Sequence, residues 1–161
     1  MIITPTFIIL LGIVFLLVWL FLSFVDDRKW LMLLLSILLT PLIYFYLFYP
    51  IINVFSSYHH EKHFDEKLWK SKPALRYEML SNMMTDSLFF YKNKIEIVHL
   101  LGESEWFSYN KTIKKHDVNQ WNYNLGMKPG AFNDKNECIE LIFENDVVID
   151  IRHYQLKTTF D

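Results

Sequence analysis

The sequence predicts an α+β protein: an N-terminal transmembrane helical hairpin followed by a two-layer domain, two helices on a three-stranded antiparallel sheet. Three observations predict it. All four charged residues of the first 56 positions sit in one run, Asp26-Asp27-Arg28-Lys29. Long uncharged apolar stretches flank that run on both sides. Further on, the apolar period changes from that of a helix to that of a strand near Trp121. The expected division is a hairpin over residues 1–56 (spans about 6–25 and 30–55), a juxtamembrane segment over 57–72, and a soluble domain over 73–161.

The first span, Thr6 to Val25, is twenty residues without a charge, sixteen of them Leu, Ile, Val or Phe. At ~1.5 Å per residue it covers roughly 30 Å, the thickness of a hydrocarbon core. Summed over its apolar residues, insertion gains on the order of 5 to 10 kcal/mol. A cleaved signal peptide fits badly. No Lys or Arg precedes Arg28, the apolar run is too long, and the first alanine of the chain is Ala74, so no Ala-x-Ala site follows.

Trp30 to about Phe55 is also uncharged. Pro41 lies inside it, which membrane helices tolerate where a neighbour or local kink satisfies the freed carbonyl; Thr40 can help by bonding back to the backbone. Tyr44, Phe45, Tyr46, Phe48 and Tyr49 read as lipid-facing filler and an interfacial belt rather than a ligand cage. Pro50 marks the expected exit from the apolar core. Only the four charges separate the spans, so the helices form a tight antiparallel hairpin with both ends on one side. Arg28 and Lys29 directly follow the first span, which favours a cytoplasmic turn and an extracytoplasmic soluble domain. Lys62, Lys67, Lys70 and Lys72 after the second span weigh against it.

The juxtamembrane segment has spacing that allows helix, with Phe64, Leu68 and Trp69 on one face. Pro73, with Ser71 as cap, opens the first helix of the domain, and Leu75, Met79, Leu80, Met83 and Met84 recur at helical spacing. Asn93 with Glu96 forms a capping-box-like start to the second. Its expected stripe is Ile95, Val98, Leu101 and Leu100, and Gly102 is its stop. Glu103 to Val118 reads as a long loop. Trp121, Tyr123 and Leu125 then alternate with Gln120, Asn122 and Asn124 as a strand. Ile139, Leu141 and Phe143 share one face of the next strand. Asn145-Asp146 is the expected hairpin turn, because both residues tolerate positive φ. The return strand places Val147, Ile149 and Ile151 on one face.

The segment Asn93-Lys94-Ile95-Glu96-Ile97-Val98-His99-Leu100-Leu101-Gly102, the run Trp121-Asn122-Tyr123-Asn124-Leu125-Gly126 and the hairpin from Ile139 to Ile151 resemble the SmpA/OmlA-type (BamE-like) small lipoprotein domain, over residues of about 72–156. The resemblance implies two helices followed by three strands. It also implies an envelope-located, non-catalytic, protein-binding module. Ser104 stands near where that family has a proline. No lipid-attachment cysteine lies near the N-terminus, so the hairpin would replace the lipid anchor.

Chemistry-bearing motifs are sparse. A net charge of −2 offers no basic field for nucleic acid. Cys138 is the only cysteine, which excludes an intramolecular disulfide and a multi-cysteine zinc site. On a helix, His59 and His63 would lie at i and i+4 and could share a metal, so they are the weak metal candidates. Only Lys62 separates Glu61 from His63, so the zinc-protease pattern is absent. The bland alternative is a solvated segment at headgroup level. No catalytic set and no cofactor site is expected. The expected function is a membrane-anchored, non-catalytic protein-interaction module. Its partners would be the lipid bilayer and another membrane or envelope protein, with no nucleic acid. The alternatives are an accessory subunit of a larger membrane complex and a juxtamembrane histidine-based metal-binding protein.

Overall fold

The computed structural model describes residues 1–86, 88–112 and 114–158. The expected domain's last three positions, 159–161, lie outside the described residues. The chain forms two compact units. One gathers Ile2–His60 with Pro129–Phe132; the other gathers Glu61–Lys128 and the chain from Asn133 on.

In the helical unit, α1 spans Pro5–Val25. Thr4 caps it by accepting the Phe7 N–H at 3.2 Å, and Pro5 occupies the first turn, where an N–H would have no partner anyway. Val25 ends the helix because Asp26 turns extended. Two short bonds close the turn: Arg28 N–H to the Asp26 carboxylate and Lys29 N–H to the Asp27 carbonyl, both 2.8 Å. The second rod, Lys29–Phe55, is 27 residues long. It comprises α2 (Lys29–Ile43), one π-helical turn (Tyr44–Phe48) and α3 (Tyr49–Phe55), so it continues through Pro50. Pro41 explains the wide turn. It has no N–H for the Ile37 carbonyl, and just beyond it the ladder widens until Tyr49 N–H reaches the Tyr44 carbonyl.

The two rods pack through Phe7, Val14, Val18 and Tyr44, with Ser36 and Thr40 also buried. Those two hydroxyls donate back to the carbonyls of Met32 and Ser36 at 2.6 and 2.7 Å, so neither is left unsatisfied. Tyr44 is buried in an intrachain cluster, which corrects the expectation that the aromatics serve only as a lipid-facing belt. Elsewhere the apolar surface is bare. Only 11% of the α1 window and 22% of the second are buried. Both helices are long and apolar enough to cross a membrane.

The other unit is α+β, as expected, but its antiparallel sheet has four strands rather than three, in the order β1-β2-β3-β4. They are Trp106–Asn110, Lys115–Met127, Lys135–Glu144 and Val147–Lys157. The additional strand, β1, and the start of β2 lie in the expected loop 103–118, whose position 113 is outside the described residues. Polar residues on both faces of this stretch hide the strand period.

Four helical pieces precede the sheet, the first three being α4 (Glu66–Ser71), a 3-10 helix (Pro73–Met79) and α5 (Leu80–Thr85). The juxtamembrane segment is therefore helical only from Glu66. Before that, Lys62 N–H is held by the Glu78 carbonyl and Phe64 N–H by the Asn82 side chain, each at 2.7 Å, in a run that is not helical. Helix α6 (Lys94–Leu101) has the expected capping box on Asn93 and Glu96 and ends at Gly102 with φ +87. Its buried stripe is Ile97 and Leu101, with Leu100 partly covered. Ile95 is 82% exposed and Val98 is not part of the core, so the expected stripe was displaced around the helix.

The core joins Trp69, Tyr77, Met79, Leu80, Met83 and Phe89 to Tyr123, Leu125, Ile139, Leu141 and Phe143. Asn145 and Asp146 form the β3–β4 turn with φ of 50 and 63. The return strand departs from its expected face. Phe143 pairs with Val148 but Ile142 with Asp150, so Ile149 is an extra, bulged residue. Val148 and Ile151 face the core instead of Val147, Ile149 and Ile151. Gly126 lets the 3-10 helix lie directly on β2: a methyl group there would run into the backbone of Ala74, and φ is +86.

Candidate functional site

The helices of the sheet unit cover one face of the sheet. Strand alternation sends Ser108, Asn122, Glu140, Arg152 and Tyr154 to the other. The cross-strand register places Asn122 opposite Glu140 and Glu140 opposite Arg152, which brings residues as far apart in sequence as Asn122 and Arg152 into one row. A hydrogen-bond chain crosses all four strands. Tyr154 Oη donates to Asn122 Oδ1 at 2.7 Å, Asn122 Nδ2 donates to Ser108 Oγ at 2.9 Å, and Ser108 Oγ donates to the Glu140 carboxylate. Arg152 stands 3.9 Å from the same carboxylate and holds Asp150 at 3.0 Å. Asn122 is fully buried, and Nδ2 also reaches the Trp106 and Gln120 carbonyls at 3.4 and 3.3 Å, so it is loss of the Tyr154 bond that leaves Oδ1 unpaired, at a cost of about 1–3 kcal/mol.

A cleft of about 590 Å³ opens over this row, with Trp106, Tyr109 and His116 among its walls. Tyr109 meets His116 edge to face at 5.5 Å. Tyr109 is exposed, as is the arginine of the row. Aromatic rings and arginine around a satisfied polar floor are the composition of protein-binding surfaces. Burial pushes the Tyr154 hydroxyl up to about 12 and the Cys138 thiol up to about 11. Neither is a nucleophile near neutral pH. The Ser108 proton is committed to a carboxylate rather than to an imidazole base.

Two further charged clusters are structural. Arg76 is buried, lies 4.4 Å over the Trp69 ring, and donates to the Trp69 carbonyl (2.9 Å), the Glu105 carboxylate (2.5 Å) and the Asn124 carbonyl (3.0 Å). It thereby ties α4 to β2. Glu137 is almost wholly buried and accepts from His153 and from Gln155 at 2.8 Å, with Lys128 at 3.7 Å. Burial alone would raise its carboxyl, but the hydrogen bonds from His153 and Gln155 and the Lys128 charge outweigh that and hold it below the ordinary 4.5.

Of the histidines singled out by sequence, His59 is half-buried with Nδ1 3.1 Å from the Ser57 carbonyl, and His63 is exposed. Neither lies on a helix, so the i, i+4 register that would pair them is not formed. Among the described residues no group of three or more His, Cys, Asp or Glu is placed to hold a metal ion. His60 is the enclosed member of the run. It stacks on Tyr49 at 4.5 Å and is ringed by Phe7, Tyr44, Phe45 and Tyr58. The row on the sheet was missed by sequence reasoning. Its only sequence trace is the polar alternation Gln120-Asn122-Asn124.

Compared with known proteins, the chain matches no family model, no curated protein and no solved structure.

Proposed function

We propose that this chain is a membrane-anchored, non-catalytic interaction module, held in the bilayer by two spans and presenting its sheet unit to a partner protein. The observation that carries this reading is the bare apolar surface of the two rods. A core helix of a water-soluble protein is covered on most sides, whereas only 11% of the α1 window is buried. Water is a poor solvent for that surface, and lipid is a good one.

The interaction part of the proposal is supported by the aromatic and arginine-lined cleft over Ser108, Asn122 and Glu140, on a sheet whose β1 edge carries the exposed Phe107 and Tyr109. The envelope setting and the SmpA/OmlA-type likeness of the sheet unit belong to the same proposal. So does an extracytoplasmic position, for which Arg28 and Lys29 in the turn speak. A photo-activatable residue at Tyr109, introduced into the full chain in its native membrane, tests the docking face. A discrete adduct from position 109 and none from the more exposed Tyr91 is expected. No adduct from 109, or the same adducts from both, overturns it. Protease access in sealed vesicles of known orientation tests the side.

A further inference from the structure

The loop Pro129–Phe132 joins two strands of the sheet, yet it groups with the helical unit. Its base is pinned: Asn133 Nδ2 donates to the Lys128 carbonyl at 2.8 Å, bridging the loop's two ends. Pro129, Gly130, Ala131 and Phe132 carry no charge. Phe132 is 91% exposed, the barest large apolar side chain among the described residues.

A backbone hydrogen bond tells where the loop sits. Ala131 N–H donates to the Val54 carbonyl at 3.2 Å. Val54 is in the last turn of α3, where the final four carbonyls of a helix have no partner within it. Ser56 takes the Ile52 carbonyl through both its N–H and its hydroxyl. The loop takes the Val54 carbonyl in the same way. At a membrane depth poor in water, such a carbonyl is costly if left unmet. The rod Lys29–Phe55 is roughly 40 Å long at 1.5 Å per residue, against ~30 Å of hydrocarbon, so one end must reach the headgroup zone. Tyr49, Tyr58 and His60 cluster at the Val54 end, the amphipathic rings that favour this zone. Phe55 beside them is itself bare.

We infer that Pro129–Phe132 is a lipid-contacting finger: it caps the end of the second span through Ala131 and lowers Phe132 into the headgroup–acyl boundary. The occupant of this patch is the lipid surface. The patch is continuous with the bare apolar side of α3, and neither carries a charge to recognise anything else. This inference rests on the reading of the two rods as membrane spans.

The test uses the full chain in vesicles of phosphatidylcholine and phosphatidylglycerol, with an environment-sensitive dye on a cysteine at one of three positions. Native Cys138 is buried and does not compete for label. Phe132→Cys is the finger, Leu17→Cys the mid-span reference and Tyr91→Cys the water reference. The finger predicts blue-shifted emission at 132 that is quenched at least twofold by lipids spin-labelled near the headgroup, and less by those labelled deep in the chain. Dye at 17 is quenched in the reverse order, and dye at 91 by neither. Aqueous emission at 132 with deep quenching at 17 overturns the finger and leaves the spans standing. A blue shift at 132 that no spin-labelled lipid quenches means that protein covers the loop, and overturns it too. Aqueous emission at both 132 and 17 removes the spans and the finger together.

Discussion

Two phenylalanines state the difference between the two halves of this molecule. Phe24, near the end of α1, is 89% exposed; Phe89, in the sheet unit, is fully buried. The sheet unit folds its large apolar groups into one core and pairs the polar groups it buries, Asn122, Glu137 and Arg76. The helical unit instead buries Ser36 and Thr40 while Phe21, Phe24, Trp30 and Leu38 stand outward. That contrast is the ground for the proposal that the two halves serve two media, and each substitution below asks whether a given residue belongs to the one assigned to it.

The largest expected effect is at the sheet core. Phe89→Ala leaves a cavity and should cost the sheet unit about 3–5 kcal/mol, whereas Phe24→Ala should change its stability by less than about 0.5 kcal/mol. Hydrogen exchange of β3 amides, with the full chain in a mild detergent, reads both. Equal effects would break the comparison. Next comes Leu16→Arg in the middle of α1, which should weaken insertion by roughly 2.5–3.5 kcal/mol, read as the fraction integrated into microsomal membranes, with no change in sheet protection. A smaller effect, about 1 kcal/mol, is expected for Asn93→Ala, which removes one half of the α6 capping box and is read from the urea midpoint of the sheet unit.

Acid sensitivity sharpens the same contrast. Glu137 is held below its ordinary 4.5, so its ionised form favours the folded state at higher pH. That contribution is present above 4.5 and is lost as pH falls through the lowered folded value. The urea midpoint of the wild-type chain should therefore drop over that acid range, while Glu137→Gln should be less stable at neutral pH and show a shallower acid loss. Parallel curves for the two proteins would remove Glu137 from this role.

What the sequence made legible was local. The two apolar runs, the Asn93–Glu96 box, Gly102 and the Asn145-Asp146 turn each depend on residues within a few positions of one another, and the structure shows them. What it hid depends on distant partners. The five residues of β1 become a strand only by pairing with β2. The bulge at Ile149 shifts the face of β4 without any glycine or proline to announce it. The non-helical run before Glu66, in which Glu78 and Asn82 hold Lys62 and Phe64, leaves no helix on which His59 and His63 could meet. The π turn is a consequence of Pro41, but proline alone does not say whether a helix kinks, breaks or widens. The candidate site was hidden for the same reason: Ser108, Asn122, Glu140 and Tyr154 come from four strands, and only the register brings them together.

The solvent assigned to the helical unit is tested most directly by alkaline extraction of membranes from cells making the full-length chain. The protein should stay in the membrane pellet after carbonate and pass to the supernatant only with detergent. Release by carbonate alone, as a monodisperse species in plain buffer, would contradict it.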